Sequence, residues 1–164
     1  MPKTAARQLP RVVMDRYREF DFREADAFYW SAADQTVYYD PDRLDTNSGL
    51  YTLIHELGHA LHGHKTFTSG AQLLKYEVDA WEKAKEVANE FGITIDAEHI
   101  ETCLDTYRDW LHRRSLCPTC KAVSTEVDEN TYRCFNCAQH WSVPVDQRAR
   151  CYRLKLGGTK KNAS

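Results

Sequence analysis

No run in the sequence approaches the ~18 consecutive apolar residues that a membrane span requires. The N-terminal stretch MPKTAARQLPRVV has basic residues but no apolar signal core behind them. These two absences lead us to expect a cytoplasmic protein with no membrane partner. Internal repeats and low-complexity stretches are also missing. So is a disulfide pattern: four of the six cysteines fall as CPTC (117–120) and CFNC (134–137), the spacing of thiolate metal knuckles in a reducing compartment. Cys103 and Cys151 stand alone outside that spacing and read as buried or idle thiols. Net charge is small at −2, but it is unevenly spread. Residues 146–164 hold Arg148, Arg150, Arg153, Lys155, Lys160 and Lys161 against Asp146 alone, which leaves the rest of the chain at about −7. A basic end of this length suits either a solvated tail or contact with nucleic acid.

What is present is a 164-residue chain that is 42% apolar, enough for one modest core and one small appended module. RVVMDRYREF (11–20) has a short helical pattern. AFYWSAADQTVYYDP alternates apolar and polar residues on both sides of a polar break, which predicts strand, turn, strand, closed by Pro41. Thr46, Asn47 and Ser48 offer caps for a helix from about Gly49 to Gly63. Ser69 can cap a second helix running to Gly92, and a third is predicted from after Asp96 to near Arg114. Beyond it, short knuckles, β-branched residues and a polar DEN turn predict a small hairpin module from 115 to about 155. The expected fold class is α+β: a domain over 1–114 with an N-terminal helix, a short sheet and further helices, a ribbon over 115–156, and a flexible basic tail over 157–164.

The segment HELGHALHGH, residues 55–64, places four of the seven histidines beside one glutamate. Helical residues four apart lie ~5–6 Å from each other on one face, so His55 and His59 can turn their imidazoles to one ion. Glu56 flanks that face and cannot easily join the ligands, but it can reach a metal-bound water as a general base. Leu50, Leu53, Ile54, Leu57 and Leu61 form an opposite apolar face, and Gly58 permits the close approach of a neighbouring element. His62 lies ~10 Å along the axis from His55 at 1.5 Å per residue, too far to share its ion. His62 and His64 are therefore read as residues of the surface or the site's rim. With Tyr76 they are the candidates for stabilising a transition state by hydrogen bonding.

A catalytic zinc takes three protein ligands, so a third must come from elsewhere. In the second predicted helix Leu73, Glu77, Ala80, Trp81, Ala84, Ala88 and Phe91 share one face, with Glu77 in the middle of the apolar stripe. A carboxylate there wants a cation; without one it would sit at the stripe's edge or pair with an arginine. Asp79 and Glu82 point away and read as solvated partners of nearby lysines. The expected site is His55, His59 and Glu77 with a water in the fourth position.

IHELGHALHGH, preceded by TVYYDP and followed by YEVDAWEKA, resembles the ImmA/IrrE-type zinc metallopeptidases, small gluzincin-like proteins, over about residues 27–92. The resemblance implies that His55, His59 and Glu77 hold zinc and that Glu56 is the base, while Asp79 stands where the family often has a second glutamate. The four-cysteine module departs from the family's usual C-terminal regions. A protease domain followed by such a ribbon also resembles the SprT-like proteases, which act on proteins attached to DNA. Their third ligand, however, is a histidine, and none is suitably placed here.

Cys117, Cys120, Cys134 and Cys137, with thirteen residues between the knuckles, fit a closed and structural Cys₄ zinc ribbon. Two zinc ions per chain are thus expected, one catalytic and one structural. Arg133, His140 and Trp141 of the ribbon can in principle stack on a base, although a lone tryptophan in so small a module is more often its core. The expected function is a zinc-dependent endopeptidase in which Glu56 activates a zinc-bound water against a protein or peptide substrate, with the TVYYDP strand offering an edge for it. The alternative is a zinc module associated with nucleic acid or a DNA-bound regulator, SprT-like or regulatory, whose peptidase activity is conditional or absent.

Overall fold

The computed structural model describes residues 8–145 and 153–156. Among them it is α+β, with four helices and two small sheets. None of the helices is long and apolar enough to cross a membrane. The chain forms two compact units: residues up to Thr66 together with Lys75–Glu101, and Phe67–Leu74 together with Thr102 onward. Arg148, Arg150, Cys151, Lys160, Lys161 and the tail from 157 lie outside the described residues.

In the first unit helix α1 (Leu9–Arg16) enters through Pro10, whose missing N–H costs nothing at a helix start. Strands β1 (Asp21–Glu24), β2 (Tyr29–Ser31) and β3 (Thr36–Tyr39) then form a sheet in the order β1-β3-β2. The β2–β3 hairpin is the strand, turn, strand unit predicted from sequence, with Trp30 opposite Val37. Strand β1, parallel to β3, was not predicted: DFRE is almost wholly exposed and has no alternation to read. It also corrects one expectation. TVYYDP supplies the central strand, paired on both sides, and so offers no free edge; the edges belong to β1 and β2.

Helix α2 (Asn47–His62) starts where the Thr46 side chain accepts the Gly49 N–H at 2.9 Å. It ends at Gly63, whose φ of +64° is the left-handed conformation that glycine adopts without strain. Leu50, Leu53, Ile54 and Leu57 are buried as the pattern predicts. Helix α3 (Gly70–Glu90) begins at Ser69, whose Oγ accepts the Gln72 N–H, and buries Ala80, Trp81, Ala84, Val87 and Ala88.

Gly58 decides how close α2 and α3 come. A Cβ built there would lie 2.4 Å from the Ala80 carbonyl oxygen, so only glycine lets the two backbones meet. Because that obstacle is backbone, a methyl group would have to push the helices apart.

Helix α4 (Ala97–Ser115), whose residues from Thr102 onward belong to the second unit, leads into a ribbon of β4 (Thr125–Asp128), β5 (Thr131–Arg133), β6 (His140–Ser142) and β7 (Leu154–Leu156), in that order across the sheet. Its small core joins Tyr132, Trp141 and Val143 to Cys117 and Cys134. Arg114, itself buried, lies over the Trp110 ring at 4.1 Å and donates to the Pro144 carbonyl and the Asn130 side chain. Together these contacts hold the last turn of α4 against the ribbon.

Candidate metal centres

The first site is assembled from α2 and α3, at the crossing that Gly58 permits. His55 and His59, one turn apart, face each other with Nε2 atoms 3.1 Å apart. Glu77 completes the group, its Oε2 3.0 Å from His55 Nε2 and its Oε1 3.4 Å from His59 Nε2. His55 and Glu77 are each 5% exposed. In a tetrahedron with bonds of ~2.0–2.1 Å the ligand atoms lie ~3.3 Å apart, close to the spacing seen here. Two ring nitrogens and a carboxylate turned toward one buried point are a donor set for a cation, and their chemistry fits zinc.

Electrostatics agree with the geometry. Burial alone would raise the Glu77 pKa, but the His55 and His59 imidazoles beside it outweigh that effect and hold the carboxyl down at about 2. The group is therefore an anion at neutral pH. Asp79 and Glu82 lie outside it, paired with Lys75 at 2.5 Å and Lys85 at 2.6 Å, as the helix periodicity indicated.

Glu56 is not in the ligand group. Its Oε2 accepts the backbone N–H of Trp30 at 2.9 Å, which ties it to the edge strand β2. It still lies near enough to His59 for its charge to favour the protonated imidazole.

The rim residues have definite places. His62 is exposed and its Nε2 lies 3.1 Å from the Asp79 carbonyl oxygen, while Tyr76 stacks on His64 with ring centres 4.1 Å apart. His64 is not in the ligand group, but its Nδ1 lies 2.8 Å from His59 Nδ1, directly behind a candidate ligand. Burial, followed by the neighbouring imidazoles, lowers its pKa to about 4, so it is neutral at physiological pH. The sequence carries a signal for this contact. A Gly at the left-handed C-terminal position folds the next residue back over the helix's last turn, here with His64 N–H donating to the His59 carbonyl at 3.1 Å.

The second site is the ribbon's. The sulfurs of Cys117, Cys120, Cys134 and Cys137 lie within 4.8 Å of one another. The closest pairs, Cys117–Cys137 at 3.6 Å and Cys120–Cys134 at 3.5 Å, are too far apart to be disulfides. The two knuckles share one backbone design. Lys121 N–H reaches the Cys117 carbonyl and Ala138 N–H the Cys134 carbonyl, each at 3.0 Å, and Lys121 and Ala138 both have positive φ. Amides of Thr119 and Asn136 point at the sulfurs of Cys117 and Cys134, each at 3.4 Å. The Cys137 amide adds another bond to Cys134 and is the main cause of its thiol falling to about 6, toward the thiolate a metal needs. Cys103, half-buried on α4, belongs to neither group.

On the ribbon surface Trp141 is 0% exposed, and its indole N–H donates to the Arg114 carbonyl at 3.0 Å. It is core, and cannot stack on a base. Arg133 and His140, paired in register, stay exposed on the face opposite Trp141. Phe135, in the second knuckle, is 80% exposed.

A comparison of the chain with protein-family models, with curated proteins and with solved structures finds no match.

Proposed function

We propose that the protein is a zinc-dependent endopeptidase of the ImmA/IrrE-like, gluzincin type, carrying a structural zinc ribbon. The observation that supports it most is the buried His55, His59 and Glu77 group with Glu56 next in sequence to the first ligand. Zinc held by that group would supply Lewis acidity, polarising a peptide carbonyl and acidifying water. The protein's own part falls to Glu56. Its carboxylate, oriented by the Trp30 amide, takes a proton from the attacking water and returns it to the leaving nitrogen. Strand β2 is an edge of the sheet beside Glu56, and an extended peptide laid along it would run past the base. The four cysteines would hold the second ion as a closed tetrahedron with no catalytic position.

The deciding experiment offers a diverse peptide library to the zinc-loaded protein. Cleavage is expected to stop with a chelator and return with zinc. Cleavage that survives chelation, or a library left intact by protein carrying two zinc ions, would overturn the reading.

A second reading, association with nucleic acid, is favoured by one feature of the ribbon. Its knuckle end presents Lys121, Arg133, His140 and the exposed Phe135, whereas the acidic Asp128 and Glu129 sit at the hairpin turn at the other end of β5. Cations beside an exposed ring suit a single strand, where stacking on an aromatic is worth ~1–3 kcal/mol per base. Phe135→Ala is expected to weaken binding of a single-stranded oligonucleotide about 5- to 150-fold. Arg133→Glu is expected to lower the salt dependence of that binding. Mobility shifts unchanged by either substitution would remove the ribbon from consideration as the contact.

A further inference from the structure

We propose that His64 is a positioning residue for the metal ligand His59, acting as a hydrogen-bond acceptor that leaves His59 Nε2 free to bind the ion. The inference rests on reading His55, His59 and Glu77 as a metal site. It concerns a residue outside that set.

His59 turns Nε2 toward the centre of the group, 3.1 Å from His55 Nε2 and 3.4 Å from Glu77 Oε1, and turns Nδ1 away, 2.8 Å from His64 Nδ1. A neutral imidazole carries one proton on one of its two nitrogens. If His64 donated to His59 Nδ1, the His59 proton would have to sit on Nε2, pointing at Glu77, and no lone pair would face the centre. If His64 accepts, the proton sits on His59 Nδ1 and the Nε2 lone pair is available. Only the second arrangement permits ligation, and it requires His64 to carry its own proton on Nε2. The partner behind a ligating histidine thus fixes both its tautomer and its ring orientation.

His64 is held for this task by contacts that do not involve an ion. Gly63, in the left-handed conformation, reverses the chain, and the His64 N–H returns to the His59 carbonyl at 3.1 Å. Its ring stacks on Tyr76 at 4.1 Å and 13°, and lies parallel to His62 at 5.0 Å and 6°. Its carbonyl accepts the Trp30 indole N–H at 2.9 Å. Trp30 therefore touches both Glu56, through its amide, and His64, through its ring. The two candidate ligands are supported differently: His55 Nδ1 is buried with no hydrogen-bond partner among the described residues, and its ring lies against Trp81 at 4.2 Å. Positioning by hydrogen bond falls on His59.

The test compares His64→Phe with His64→Asn in the full-length chain. Phenylalanine keeps a flat ring for the stack but has no acceptor, whereas asparagine places an oxygen near the position of Nδ1. Zinc affinity is read by competition with a chelator, with the four-cysteine site as internal reference. His64→Phe is expected to weaken the ion at the His55, His59 and Glu77 site by ~10–100-fold, with the cysteine-bound ion unchanged. His64→Asn is expected to recover most of that loss, and nitrogen-15 spectra of the zinc-loaded parent should show His59 protonated on Nδ1. Parent-like affinity in His64→Phe, or a His64→Asn variant as weak as His64→Phe, would overturn the proposal. A parent chain holding only the cysteine-bound ion would instead overturn the site itself, a result visible before any variant is made.

Discussion

Glu77→Ala is expected to strip the ion from the His55 and His59 pair while the four-cysteine ion stays in place. Glu77 supplies one of three donors from inside the protein, and its two oxygens approach both imidazoles, so its loss leaves only two ring nitrogens to hold an ion. Loss of an outer-shell partner alone typically costs ~10–100-fold in metal affinity, and loss of a ligand should exceed that. Asp79→Ala and Glu82→Ala remove carboxylates from ion pairs with Lys75 and Lys85 and should each change stability by only ~0–1 kcal/mol, with both ions retained. The protonation state of Glu77 supports this ranking. Its carboxyl is held at about 2, below the usual 4.5, so its contribution is complete above pH 4.5 and is lost only as pH falls toward 2. At neutral pH an incoming cation therefore has no proton to displace from it. Metal analysis of the three variants in parallel is the measurement, and zinc retained by Glu77→Ala but lost from Asp79→Ala would exclude the site as drawn.

The site was legible in the sequence to the extent that helix periodicity fixes direction. Residues four apart on one helix and a lone carboxylate in an apolar stripe on the next specify which side chains point inward, and His55, His59 and Glu77 converge accordingly. The CxxC spacing specified the second cluster in the same local way. The β2–β3 hairpin was legible, but the strand that pairs on its other side was not. Nothing in DFRE announces a strand, because β1 is held by its ladder to β3 and not by a buried face, and its pairing turned the expected edge into the centre of the sheet. The support behind the ligands was half legible. Gly58 was read as a point of close approach, but its partner, Ala80, depends on how two helices cross. The His64 contact depends on the left-handed turn at Gly63, a local feature whose consequence for His59 appears only once the chain is folded back. The exposed Phe135 shows the reverse problem. Trp141 fills the core against Tyr132, as a lone tryptophan in so small a module is expected to, and the ring left outside, which the sequence does not single out, is the one between the second pair of cysteines.

Glu56→Gln should separate metal binding from catalysis more sharply than any other substitution. The Glu56 carboxylate lies outside the ligand group, so both ions are expected to remain. Glutamine also keeps an oxygen that can accept the Trp30 N–H, the bond that now orients the side chain at 2.9 Å, so placement should survive. What the amide cannot do is take a proton from water and return it to a leaving nitrogen. General-base contributions run to ~10²–10⁴-fold, and a loss of that order in peptide cleavage is expected with zinc content unchanged. Substrate affinity is a useful second reading, because a misplaced side chain would disturb binding and turnover together, whereas a missing base lowers turnover alone. Cleavage by Glu56→Gln at the parent's rate, under conditions where a chelator stops both, would show that another group takes the proton. In that event the Trp30 contact to Glu56 would have to be read as a tie between helix α2 and strand β2, with no part in the chemistry.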